Sequence, residues 1–219
     1  MGPALAVVDE HPGQDPQTDH PSPTRAAASE VRAARRSRMT RESVISEAQA
    51  LVDELGTEAL TMTALASRLQ VRVSSLYNHV HSLEELRSEL QLHAMRELGD
   101  LARRAAMGRT GVDGLRVLAR VFVDYGERWP HRCRSLLRVP IDLPAFRAAS
   151  AEAGEALAVM IRTAGVPEGR VLQTQLALFA AINGFVSLQL SGFFDVVGNA
   201  DDVFEQILQG AVTAAVLGS

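Results

Sequence analysis

The stretch from Thr61 to Leu90, TMTALASRLQVRVSSLYNHVHSLEELRSEL, constrains the fold more than any other part of the chain. Thr61 is a helix N-cap, and Met62, Leu65, Ala66 and Leu69 follow at helical spacing. A turn over Gln70–Val73 leads into a second short helix. On its wheel, at about 100° per residue, Val73, Leu76 and Val80 share one side. Ser74, Ser75 and Asn78 point the other way, with Tyr77 and His79 on the flanks. Ser82 then caps a further helix, and Glu85 three residues later fits a capping box. Two short helices joined by a tight turn, the second apolar inside and hydrogen-bonding outside, describe a helix-turn-helix. Such a unit sets its second helix into the DNA major groove.

The flanking sequence supplies the rest of a small helical domain. Thr40 is a good N-cap, and Val44, Ala48, Leu51, Val52 and Leu55 lie on one face of the helix after it. Gly56 is placed to end that helix in a left-handed cap. After Ser82, Leu83, Leu86, Leu90, Met95 and Leu98 form an apolar stripe on a helix long enough to bridge two domains. Further helices are predicted at about 112–128, from Pro130, at about 144–164, 168–190 and 201–216. No strand alternation of useful length occurs. The predicted fold is all-α: an N-terminal three-helix helix-turn-helix domain, then a larger C-terminal helical bundle. Residues 1–37 are predicted to be a disordered tail and Arg-rich arm, 38–90 the DNA-binding domain, and 91–219 the second domain.

Composition narrows the function classes. With 47% apolar residues in 219, the chain can bury a real core. No uncharged apolar run of about 18 residues and no signal-peptide pattern occur, so neither a membrane partner nor export is expected. Cys133 is the single cysteine, which excludes an internal disulfide and fits the cytoplasm. The flanking Arg132 and Arg134 are expected to lower its pKa. His79 and His81 face different ways on a helix and make a poor metal pair. No H-E-x-x-H, P-loop or G-x-S-x-G pattern appears, so neither metal, cofactor nor enzyme activity is expected.

Within the helix-turn-helix, Asn78 is suited to paired hydrogen bonds with adenine, and Ser74 and Ser75 to several bases. Tyr77 and His79 are expected on phosphates, as are Thr61 and Thr63 at a helix start. The net charge of −4 belongs to residues 1–30, and all 22 basic residues are Arg. Val31–Leu90 holds eight Arg and eight acids, so affinity must come from placement rather than bulk charge. Arg36 and Arg38 in the arm are expected to reach the minor groove, and Arg72 lies in the turn. The alternative for the arm is a solvated charge run.

Thr40–Leu90 resembles the DNA-binding domain of the TetR family of bacterial transcription regulators. TRESVISEAQALVDELG, LTMTALASRL and SSLYNHV followed by LEEL carry the likeness. The Leu-Tyr-x-His-Val core is especially similar to the tetracycline-repressor branch. AAINGFVSLQLSGFF, residues 180–194, resembles a segment of the dimer-forming domain in some subfamilies. The chain departs from the pattern at Gln70, where Gly is usual, and after the recognition helix, where Lys is common. A third departure is Asn183, where those relatives often carry His.

The resemblance implies base or sugar-phosphate contacts for Ser74, Ser75 and Asn78, and phosphate contacts for Thr61, Tyr77 and His79. It also implies a homodimer on a pseudo-palindromic double-stranded operator, released by a small-molecule effector, with the C-terminal helical bundle serving ligand binding and dimerisation. Candidate dimer residues are Ala177, Ala181, Gly184, Leu188 and Ile207. Candidate pocket residues are Phe122, Tyr125, Trp129, Met160, Phe179 and Asn183. Two alternatives remain open: an all-α small-molecule-binding enzyme, and a non-specific DNA-architectural protein.

Overall fold

The computed structural model describes residues 39–217. Ten α-helices occur among them, with no strand. In chain order they are α1 (Arg41–Leu55), α2 (Met62–Leu69), α3 (Val73–Leu76), α4 (Leu83–Ala106) and α5 (Gly111–Arg128). Then follow α6 (Pro130–Leu136), α7 (Leu143–Thr163), α8 (Val171–Leu190), α9 (Phe193–Val197) and α10 (Ala200–Leu217). The predicted tail and arm, with Arg36 and Arg38, lie outside the described residues.

Local chemistry sets the N-terminal boundaries. Thr40 and Ser43 exchange side chain-to-backbone bonds at 3.0 and 3.2 Å, a capping box that starts α1. Thr61 Oγ1 accepts the Ala64 N–H at 3.0 Å, and Ser82 Oγ accepts the Glu85 N–H at 2.9 Å. The returning Glu85 carboxylate takes the His81 N–H rather than that of Ser82. Gly56 ends α1 as expected, but not in the left-handed helical region: its φ is +87° and its ψ 166°. A Cβ there would also stand 3.2 Å from the His131 ring, so position 56 needs Gly twice over.

Two separate apolar cores form. Val44, Ala48, Leu51, Val52, Leu60, Leu65, Leu76, Val80 and Leu86 close one around α1–α3 and the start of α4. The other gathers the rest of α4 with α5–α8 and α10, and Leu115, Val123, Ile161, Val186 and Phe204 lie at its centre. Because α4 contributes Leu86 and Leu90 to the first core and Met95 and Leu98 to the second, one rigid helix joins them. Gly126 allows α5 to approach closely: a Cβ there would meet Val186 at 3.0 Å and Cys133 Sγ at 3.4 Å.

Helix α8 explains the near-uniform apolarity of its sequence. Its residues divide into three strips at about 100° per residue. Val171, Thr174, Leu178, Ile182, Phe185 and Val186 are buried in the core. Leu172, Leu176, Phe179 and Asn183 line a cavity. Ala177, Ala180, Gly184 and Leu188 form a third, exposed strip. The region 168–190 is apolar enough in length and composition to cross a membrane, with a mean hydropathy of 1.5. The three strips give that apolarity a different cause, with two separate uses besides the core. The short helix α9 has no counterpart in the sequence prediction. Its five residues are too few to show a period.

Candidate nucleic-acid interface and buried cavity

Helix α2, the turn and α3 follow one another as the sequence predicts. Gln70 closes α2 in the left-handed region, with φ 57° and ψ 36°. Its N–H and that of Val71 bond back to Ser67 and Ala66, which satisfies the last turn. The left-handed backbone that Gly usually supplies is therefore present here with Gln, at a cost of about 1 kcal/mol.

The following helix is shorter than the wheel implies. Only Val73–Leu76 is α-helical, and Tyr77–His79 continue as turns. Leu76 and Val80 are fully buried, so the apolar seam is as read. Ser74, Tyr77 and Asn78 are exposed or half-exposed, as are Thr61, Thr63 and Arg72 on the adjoining elements, and His79 is half-buried. Ser75 corrects the sequence reading. It is 8% exposed, covered by the fold, and so does not belong to the accessible face.

Charge is placed sparingly around this face. Arg41 is bound to Glu85 and Glu89, at 2.8 and 3.1 Å. Arg68 is bound to Glu47 and Glu54. These two cations tie α1 to α4 and α2 to α1. Arg72 enters no ion pair among the described residues and stays accessible beside Ser74. The expectation of affinity by placement thus becomes specific: within the folded domain, Arg72 is the cation at the start of the recognition helix.

A second constellation lies where α1 meets the larger core. Arg132, at the start of α6, forks onto Asp53 of α1 at 2.5 and 2.9 Å and reaches Glu97 of α4 at 2.8 Å. Tyr125 of α5 donates its hydroxyl to the same Glu97 at 2.9 Å, and Gln49 donates to Asp53 at 3.0 Å. The guanidinium stacks on Trp129, 4.1 Å from the ring centroid. The Asp53 and Glu97 bonds hold Arg132 firmly protonated. Burial and the Glu97 charge push the Tyr125 hydroxyl well above its ordinary value, so it remains a donor. Sequence reasoning missed Asp53, Glu97 and Arg132, because they come from three helices and share no spacing.

The cavity lies within the larger core and measures about 500 Å³. Met95, Leu98 and Ala102 of α4, Leu115, Leu118 and Phe122 of α5, Phe146 and Leu157 of α7, and the α8 strip form its walls. Of the candidate pocket residues, Phe122, Phe179 and Asn183 line this cavity. Tyr125, Trp129 and Met160 do not line it. Tyr125 and Trp129 are drawn to the polar Arg132 cluster, where the Tyr125 hydroxyl finds Glu97 and the Trp129 ring a cation. Met160 is buried against Gly114, where the missing Cβ leaves room for its thioether. Ile207 is half-buried on the chain's own core rather than wholly free for a partner. Cys133 is fully buried, and burial raises its thiol to about 11 in spite of Arg134, so the expected lowering is overturned.

Comparison with known proteins accords with this geometry. Residues 115–211 match the family described as tetracyclin repressor-like, C-terminal domain. The uncharacterized HTH-type transcriptional regulator Rv0681 of Mycobacterium tuberculosis is 30% identical over 177 residues, covering 80% of this chain and 81% of that protein. The chain belongs to the TetR family of transcriptional regulators. It is a DNA-binding regulator with an all-α fold.

Solved TetR structures share that fold. The transcriptional regulator SCO7222, a TetR from Streptomyces coelicolor, superposes with a TM-score of 0.57 at 24% identity, over 82% of this chain and 97% of that one. A single-residue variant of TetR from Acinetobacter baumannii AYE, solved in complex with minocycline, gives 0.57 at 20% identity, over 82% and 96%. Within this TetR-family chain, no group of three or more potential metal ligands occurs among the described residues.

Proposed function

We propose that this TetR-family chain is a cytoplasmic, ligand-released repressor that binds a pseudo-palindromic operator as a homodimer. The accessible face of Ser74, Tyr77 and Asn78 beside Thr61, Thr63 and Arg72 carries the DNA part of this reading. Ser74 and Asn78 read base edges. Tyr77, His79, Thr61, Thr63 and Arg72 grip the backbone, and Arg36 and Arg38 extend the contact into the minor groove. The DNA-binding domain comprises residues 38–90 and the ligand-binding and dimerisation domain 91–219. The third strip of α8, with Ala177, Ala180, Gly184 and Leu188, meets its copy in the partner, with half-buried Ala181 at its edge and α10 with Ile207 flanking it.

The effector occupies the cavity, with Phe122, Phe179 and Asn183 in its wall. Two of the cavity helices also hold the Arg132 cluster: α5 passes from Phe122 to Tyr125, and α4 from Met95 and Leu98 to Glu97. Arg132 relays their position to Asp53 on α1. A ligand that prefers one setting of α4 and α5 therefore changes the spacing of two recognition helices.

Footprinting on intergenic DNA beside the chain's own gene tests the reading. The expected result is protection of a palindrome. Asn78→Ala then weakens operator binding about tenfold with little change on random DNA. Ser75→Ala leaves the base preference intact. Equal affinity for random DNA would favour the architectural alternative. A monomer in size-exclusion chromatography would end the two-fold model of the operator.

A further inference from the structure

We propose that the cavity takes an amphipathic monoanion, with its carboxylate at Arg147 and its apolar body running toward Leu157 and Leu172. This rests on the reading of the cavity as the effector site and adds the chemical class.

The lining is almost wholly apolar, and its exceptions are not scattered. Gln175 of α8 donates to the Gly154 carbonyl of α7 at 3.0 Å, which sets the level at which the two helices pair. The short connection between them, residues 164–170, makes them antiparallel. Two turns along α7 from Gly154 lies Arg147, and two turns along α8 from Gln175 lies Asn183, at about 1.5 Å per residue. Both line the cavity, with Ser150 between. One end is therefore polar. The other, at Ala102, Leu115, Leu157 and Leu172, is apolar apart from Gln175, whose amide is engaged with Gly154.

Charge then selects the head group. Among the described residues, Arg147 is the only ionisable one in the lining, and it forms no ion pair with any of them. No carboxylate among the described residues lines the cavity, so a cationic ligand meets no counter-charge from them. Asn183 holds a side-chain oxygen that is buried and without a hydrogen-bond partner among the described residues. With its oxygen buried, the amide N–H2 is the group that Asn183 can offer a head group at this end of the cavity. A guanidinium and an amide suit a carboxylate, and the length from Arg147 to Leu157, about 15 Å along the helix, suits an extended hydrocarbon body.

Calorimetry on the full chain with dodecanoate, dodecanol and dodecyltrimethylammonium tests the assignment, because the three differ only at the head. The expected order is dodecanoate tightest and the ammonium weakest, with one dodecanoate per chain. Arg147→Gln, at an exposed position, weakens dodecanoate about tenfold and leaves dodecanol unchanged. Ala119→Trp fills the cavity and weakens both. Dodecanol binding as tightly as dodecanoate, or dodecanoate indifferent to Arg147→Gln, overturns the anion assignment and leaves the cavity reading intact. Dodecanoate indifferent to Ala119→Trp places it elsewhere and also overturns the assignment. No binding by any probe overturns both. Dodecanoate bound as proposed, with operator affinity unchanged, removes the effector role alone.

Discussion

Replacement of Arg132 by Met tests the link between the two cores. Arg132 supplies the positive charge between Asp53 and Glu97, and its side chain is only 11% exposed. Removing it leaves two carboxylates without their shared cation, with Tyr125 and Gln49 as their remaining donors. Breaking a fully buried pair costs roughly 3–5 kcal/mol. Asp53 and Glu97 keep 16% and 32% exposure, so water recovers part of the loss, and about 2–3 kcal/mol is expected. For a folded region of this size that lowers the melting temperature by about 4–12 °C. Met retains the packing on Trp129, which separates charge loss from lost volume.

A double-mutant cycle makes the test specific. Asp53→Asn alone keeps the shape, leaves Arg132 paired with Glu97, and is expected to cost about 1–2 kcal/mol. In the double variant the unpaired carboxylate at position 53 is gone, so the two losses add to less than their sum by at least about 1 kcal/mol. Urea unfolding at fixed protein concentration, followed by fluorescence, is the assay. The only tryptophan in the chain, Trp129, stacks on the guanidinium and reports the site directly. Additive losses, within about 0.5 kcal/mol, would refute the claim that Arg132 holds α1 to α6 through Asp53.

Other outcomes follow from the same structure. Gln70→Gly relieves a left-handed backbone and is expected to stabilise the chain by about 0.5–1 kcal/mol, read as a rise in urea midpoint; a loss would mean that the Gln side chain contributes more than the strain. Cys133, buried and with its thiol raised to about 11, is expected to resist a thiol reagent at about pH 8 until the protein is unfolded, and rapid labelling of the native chain would contradict its burial. Glu85 has its carboxyl lowered by Arg41 and by the His81 N–H, so its contribution is present above the unfolded value and is lost as pH falls through the folded one. Glu85→Gln is therefore less stable than the parent at about pH 7. The gap closes in thermal melts below about pH 4.5, and a gap that widens there reverses the sign of the argument.

The caps and the apolar seam were legible because they are local. Thr40, Thr61 and Ser82 each satisfy an N–H three residues away, and Leu76 and Val80 follow from a single helical period. Ser75 was misread because a wheel gives a side chain's direction but not what packs over it, and here the fold covers it. Tyr125 and Trp129 were misread for a different reason. Both are large, half-polar residues near a bundle core, and the sequence does not say which of two destinations their polar tips will find. The cavity and the Arg132 cluster lie on neighbouring stretches of α5, and only the packing of α4 and α6 against it separates them.

The sequence alone determined the all-α class, the helix-turn-helix and its outward Ser74 and Asn78, since periodicity and capping act over three or four residues. Tertiary structure decided which strip of α8 faces core, cavity or solvent, because an almost uniformly apolar helix carries no moment to choose between them. It also decided that Asp53, Glu97 and Arg132 meet, and that Arg147 and Asn183 share one end of a cavity. Those pairings depend on the level at which separate helices pack, which a one-dimensional pattern does not encode.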